Sequence, residues 1–156
     1  MNLPVAIGVW KNEMTRLMQI KSILISVGLL GAVAFPVSAD ELQLGDASKL
    51  PPAAAKKGVT FDSDIKPLIE KSCLKCHSGE KPKGKYSMES KEKLLKGGPD
   101  GAPVVVGNSA KSALVHYVSD LVEDSEMPPK DKRDKYPPLT KDQIGLVRAW
   151  IDQGAK

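Results

Sequence analysis

The chain has 156 residues, room for one domain and little more. Its 23 basic and 19 acidic side chains leave a formal charge of +4. That balance supplies no argument for nucleic-acid binding, so a nucleic-acid partner is not expected.

Lys11, Arg16 and Lys21 precede an apolar run from Ile23 to Phe35, followed by small residues at Val37 and Ala39. A basic segment, an apolar segment and a small-x-small site predict a Sec-type signal peptide over 1–39, cut after Ala39. The uninterrupted apolar run is shorter than the ~20 residues of a bilayer span. Cleavage is therefore expected, with an uncleaved anchor as the alternative. The basic front is long for a signal, and a start at Met14 or Met18 would give more usual proportions. The expected location is periplasmic or otherwise exported, with no stable membrane span after cleavage. Removing 1–39 leaves a net charge near +2.

Residues 40–58 carry little apolar content, a proline pair and an alanine run. This composition predicts a flexible linker with no fold of its own. The domain proper is expected over 59–156, with helical patterns separated by Gly- and Pro-rich loops and no alternating run that suggests a sheet. Phe61, Ile65, Leu68, Ile69 and Ser72 fall at helical spacing, and Pro67 places that helix's start near Ser63 or Asp64. On this reading the helix carries Cys73, Cys76 and His77 on its last turns and stops at Gly79. A short second helix is predicted from Ser90 to Lys96, ended by Gly97 and Gly98. A third is predicted from Ser109 to Val118, capped by Asn108. Thr140 and Gln143 form a capping box for the last, which Gly154 closes. Between the third and the last lies a long Pro-rich loop around Met127, of a length that is usually functional or disordered. The class is a small all-α domain. With Phe61, Tyr86, Tyr117, Tyr136 and Trp150 as its aromatics, its core is thin, and a buried macrocycle would reinforce it.

The two cysteines, Cys73 and Cys76, stand three apart with His77 directly after the second. Three chemistries use this pattern: a thiol–disulfide couple, part of a zinc site, or covalent haem attachment. Export disfavours free thiols. A thioredoxin-like couple needs a preceding strand, and a closed zinc site needs a fourth ligand. The pattern therefore favours haem, with each thiol bonded to one vinyl group and the imidazole on the iron. For the second axial position the candidates are Met88, His116 and Met127. Met88 follows the attachment segment too closely to cross to the opposite face. His116 has an ordinary reading as a helix-surface or partly buried histidine. Met127 sits in the long loop, stiffened by Pro128 and Pro129, and is the favoured ligand; its bland reading is a loop methionine packed on the core.

The stretches FDSDIKPLIEKSCLKCHSGEKPKGKYSMESKEKLLKGG, GAPVVVGNSAKSALVHYV, EMPPKDK and LTKDQIGLVRAWIDQGA resemble the Planctomycete-type cytochrome c domain, from about Phe61 to Ala155. The resemblance implies a class I cytochrome c-like helical fold wrapped around one covalent haem c. It implies His77 as proximal and Met127 as distal iron ligand. Pro99 and Pro103 come late for the proline carbonyl that ordinarily accepts the proximal imidazole N–H. The function so implied is electron transfer between redox partner proteins and not enzymatic catalysis. A haem-based sensor or peroxidase-like protein, in which Met127 dissociates, is the alternative. The lysine excess at Lys71, Lys75, Lys81, Lys83 and Lys85 would steer acidic partners. The acidic stretch Asp120–Glu126 is either solvated surface or part of the same polarity.

Overall fold

The computed structural model describes residues 42–156; the predicted signal peptide over 1–39 lies outside the described residues. Among the described residues secondary structure is helical, and the only ladder-like pairing is an isolated bridge between Gly98 and Gly101.

The first helical segment opens earlier than predicted, as a wide π turn over Phe61–Ile65. Thr60 caps it, its side chain accepting the Ser63 N–H. Helix α1, Lys66–Ser72, follows with Pro67 in its first turn, where a missing N–H costs nothing. It ends before the cysteines. Cys73 is its C-cap, so the attachment residues are not on its last turns as predicted. They form a separate turn in which the Cys73 carbonyl accepts the N–H of Cys76 at 3.1 Å and of His77 at 3.0 Å. One carbonyl thus gathers all three residues.

Helix α2, Lys91–Lys96, is closed by Gly97 as its sequence predicts, and Ser90, read as its first residue, is its N-cap. The predicted third helix divides in two. A single 3-10 turn over Ser109–Lys111, capped by Asn108, precedes α3, Ala113–Val118. The break falls at Ser112, whose buried hydroxyl donates to the Asn108 carbonyl at 2.9 Å and accepts the Val105 N–H at 2.9 Å. A side chain that competes for backbone partners interrupts the helix there. Helix α4, Lys141–Asp152, has the expected capping box between Thr140 and Gln143.

Helix α4 is the axis of the core. Ile144, Val147, Trp150 and Ile151 are buried with Phe61, Ile65, Ile69, Leu94, Val115 and Val118. Trp150 packs against Phe61 with centroids 5.8 Å apart and donates its indole N–H to the Lys156 carbonyl at 2.9 Å. Asp152 accepts the N–H and hydroxyl of Ser109 at 2.7 and 2.9 Å, docking the 3-10 turn on α4.

Residues 42–58 correct the linker prediction: they form a strap across the helices. Leu50 is buried, Ala54 N–H donates to the Gly145 carbonyl at 2.9 Å, and Gln153 Nε2 donates to the Lys56 carbonyl at 2.8 Å. Arg148 donates to the Pro51 carbonyl. Close approach depends on two glycines. A Cβ at Gly45 would meet the Leu121 carbonyl oxygen at 2.2 Å, and one at Gly145 the Pro52 carbonyl oxygen at 2.7 Å. Composition misleads here because the strap is held through its backbone, and backbone hydrogen bonds leave no mark in side-chain hydropathy.

Candidate haem-binding site

A cavity of about 230 Å³ with an almost wholly apolar lining lies among the described residues. Cys73, Cys76 and His77 line it, as do Met127, Pro128 and Pro129, with Tyr86, Met88, Leu114, Tyr117, Val118 and Tyr136 completing much of the wall. The three attachment residues and the favoured methionine thus share one cavity, although fifty residues separate His77 from Met127.

The attachment turn is braced from several directions. His77 Nδ1 lies 3.0 Å from the Tyr86 carbonyl oxygen. A carbonyl only accepts, so Nδ1 carries the proton and the neutral ring keeps Nε2 as its free lone pair. A hydrogen bond of this kind orients an imidazole and raises its basicity as a ligand. The acceptor is therefore the Tyr86 carbonyl; Pro99 and Pro103 are not used. No residue-type signal marks it, because a backbone carbonyl is available at every position. The Tyr86 ring also packs on His77, centroids 5.5 Å apart, and its hydroxyl donates to the Leu94 carbonyl at 3.1 Å. Met88 N–H donates to the His77 carbonyl at 2.8 Å, closing the loop back onto the attachment turn. Glu89 accepts the Gly79 N–H at 3.1 Å, the Ser87 hydroxyl at 2.9 Å and the Lys93 ammonium at 2.7 Å. Those donors, Lys93 foremost, bring the Glu89 carboxyl down to about 2. Ser72, buried at the end of α1, donates to the Pro137 carbonyl at 2.7 Å and ties the Pro-rich segment to the attachment side.

Burial pushes the Cys73 thiol up to about 12, with the nearby Cys76 adding to the effect. A thiol so placed is protonated at neutral pH and is a poor redox nucleophile. Cys73 and Cys76 are not joined by a disulfide. Among the described residues no group of three or more His, Cys, Asp or Glu side chains is placed to hold a metal ion by itself.

The other candidate ligands have different surroundings. Met88 is 4 % exposed, belongs to the core cluster and also lines the cavity, but its backbone is bonded to His77 itself. His116 is wholly buried, more so than predicted, and both its nitrogens are engaged by backbone. Nε2 donates to the Ala110 carbonyl at 2.8 Å, while Nδ1 accepts the Gly45 N–H of the strap at 3.1 Å. It does not line the cavity. Met127 packs partly buried against the core, and its N–H donates to the Tyr117 carbonyl at 3.0 Å.

The charged surroundings divide unevenly. Lys71, Lys75, Lys81, Lys83 and Lys85 form no ion pair with a described residue. In the acidic stretch, Asp120 is paired with Arg133 and Glu126 with Lys130. The ends of that stretch are therefore neutralised locally, whereas the lysines are not.

The donor set and the lining fit a haem. An apolar cavity suits a macrocycle, two thiols and an imidazole with a free lone pair lie together, and a thioether lines the same space. Residues 73–131 match the family model described as Planctomycete cytochrome C. No curated protein and no solved structure matches the chain.

Proposed function

From a chain that carries a Planctomycete-type cytochrome c domain, and with it the character of a c-type haem protein, we propose an exported monohaem electron carrier with His/Met axial ligation. One observation carries this reading: His77, the two thiols and Met127 line a single apolar cavity. Cys73 and Cys76 would hold the haem by thioether bonds, His77 Nε2 would be the proximal ligand and Met127 the distal one. The haem, when bound, supplies a reversible one-electron couple, and thioether ligation raises its potential. The chain's own part is to exclude water and hold both donors still. Tyr86 fixes the imidazole through its carbonyl, and the apolar wall from Leu114, Tyr117 and Val118 keeps solvent away. The fold is then a class I-like domain wrapped around its cofactor, exported so that covalent attachment prevents loss outside the cytoplasm. No helix among the described residues is long and apolar enough to cross a membrane. The lysines at 71, 75, 81, 83 and 85, which form no ion pair with a described residue, would steer acidic redox partners, an effect that weakens as salt rises.

The test is optical spectroscopy on protein matured with haem. The weak red absorption band of a ferric iron–thioether bond is expected in the wild type and in Met88→Ala, and lost in Met127→Ala. Loss in Met88→Ala instead would overturn the ligand assignment. Resistance of the ferrous wild type to carbon monoxide at neutral pH is expected of an electron carrier; ready binding would favour the sensor or peroxidase-like reading.

A further inference from the structure

Met127 and the residue after it are held by α3 and by the segment that joins α3 to α4. Its own N–H donates to the Tyr117 carbonyl. The next carbonyl, that of Pro128, accepts from Arg133 Nε at 3.0 Å. The rest of the same guanidinium makes a two-pronged pair with Asp120, Nη1 to Oδ2 at 2.8 Å and Nη2 to Oδ1 at 2.5 Å. Asp120, just past the Ser119 C-cap of α3, has a positive φ of 57°, a conformation that Asp tolerates better than most side chains. Neither Asp120 nor Arg133 lines the cavity, whereas Tyr117, Met127 and Pro128 do. One planar fork therefore bonds a carboxylate at the end of α3 and the backbone immediately after the methionine. A lysine could supply the charge, but its donors radiate from one nitrogen and cannot meet both carboxylate oxygens side by side while reaching the Pro128 carbonyl.

We infer that Arg133 is a positioning residue: with Asp120 it clamps the Met127–Pro128 segment to the end of α3 and so sets how firmly the thioether is held at the cavity. The inference rests on the proposed role of Met127 as distal ligand. Releasing the clamp enlarges the fraction of molecules with the thioether withdrawn. A competing ligand for the same position gains apparent affinity in proportion to that fraction.

The experiment titrates the haem-loaded full chain, in its ferric form, with free imidazole, and follows thermal unfolding of each variant alongside. Loss of a charge-assisted hydrogen bond predicts about tenfold tighter imidazole binding in Arg133→Gln. Arg133→Lys and Asp120→Asn should give a smaller gain. Lys130→Gln, which removes the exposed Lys130–Glu126 pair in the same segment, should bind imidazole as the wild type does. Wild-type affinity in Arg133→Gln overturns the inference, as does an equal gain in Lys130→Gln. Should Arg133→Gln fail to fold, wild-type affinity in both Arg133→Lys and Asp120→Asn overturns it. Met127→Ala separates the two levels. If it leaves imidazole affinity unchanged, the ligand assignment fails and the clamp with it. If it raises the affinity while Arg133→Gln does not, only the role of Arg133 fails.

Discussion

The His77 and Met127 groups of cavity-lining residues are held by different means. The His77 side is local: Cys73, His77, Tyr86, Met88 and Glu89 brace one another across short stretches of chain. The Met127 group is tied over spans just as short, but by fewer groups: one backbone bond from Met127 to Tyr117 and one guanidinium fork from Arg133 to Pro128 and Asp120. Behind it, His116 joins the strap at Gly45 to α3, across seventy-one residues. A local site can form as soon as its turn forms. A group held by few ties, with a long-range one such as His116–Gly45 behind it, depends on more of the fold, and each tie is a place where it can be loosened.

The largest expected effect falls on the local side. Cys73→Ser combined with Cys76→Ser should abolish haem retention through denaturation, measured by haem staining of a denaturing gel; retention of stain would remove the attachment role of the turn. Next comes the Met127 side. His116→Ala leaves the Gly45 N–H and the Ala110 carbonyl without partners, at a cost of about 2–4 kcal/mol in chemical denaturation. That change should also weaken the hold on Met127, seen as easier imidazole binding. An unchanged unfolding midpoint would mean that the strap does not support this side.

The smallest effect tests how far the local side tolerates acid. The Glu89 carboxyl is lowered in the folded protein to about 2 from its ordinary 4.5. A group lowered in this way stabilises the fold above its ordinary value, and that contribution is lost as pH falls toward about 2. Glu89 is exposed to solvent, which keeps the contribution small. Unfolding of wild type and Glu89→Gln should therefore differ modestly near neutral pH and converge as acid protonates the wild-type carboxyl. A gap that stayed constant down to about pH 2 would assign the difference to packing.

Much of the helical plan was legible because helix ends carry their own chemistry. Asn108 and Thr140 cap where their side chains predict, Gly97 closes α2, and Ser90, read as the first residue of α2, is its N-cap. Less legible was the end of α1, which the apolar spacing carried past Ser72 into the cysteine turn. Periodicity records which faces are buried, and Cys73 and Leu74 do pack against the core, so the pattern continues after the helix has stopped. The strap was missed for a related reason: its partners are carbonyls and N–H groups, which every sequence possesses.

By itself the sequence determined the local chemistry: two thiols and an imidazole within five residues, a methionine followed by two prolines, and the caps that start α2 and α4. These are properties of neighbouring residues, and short-range geometry is enough to express them. The tertiary structure decided which acceptor orients His77, that His116 is spent on backbone, and that Met127 lines the same cavity as the thiols. The first depends on how the loop to Tyr86 folds back, and the other two on where distant parts of the chain come to rest. Long-range placement follows from the packing of the whole core around Trp150, which no local pattern encodes.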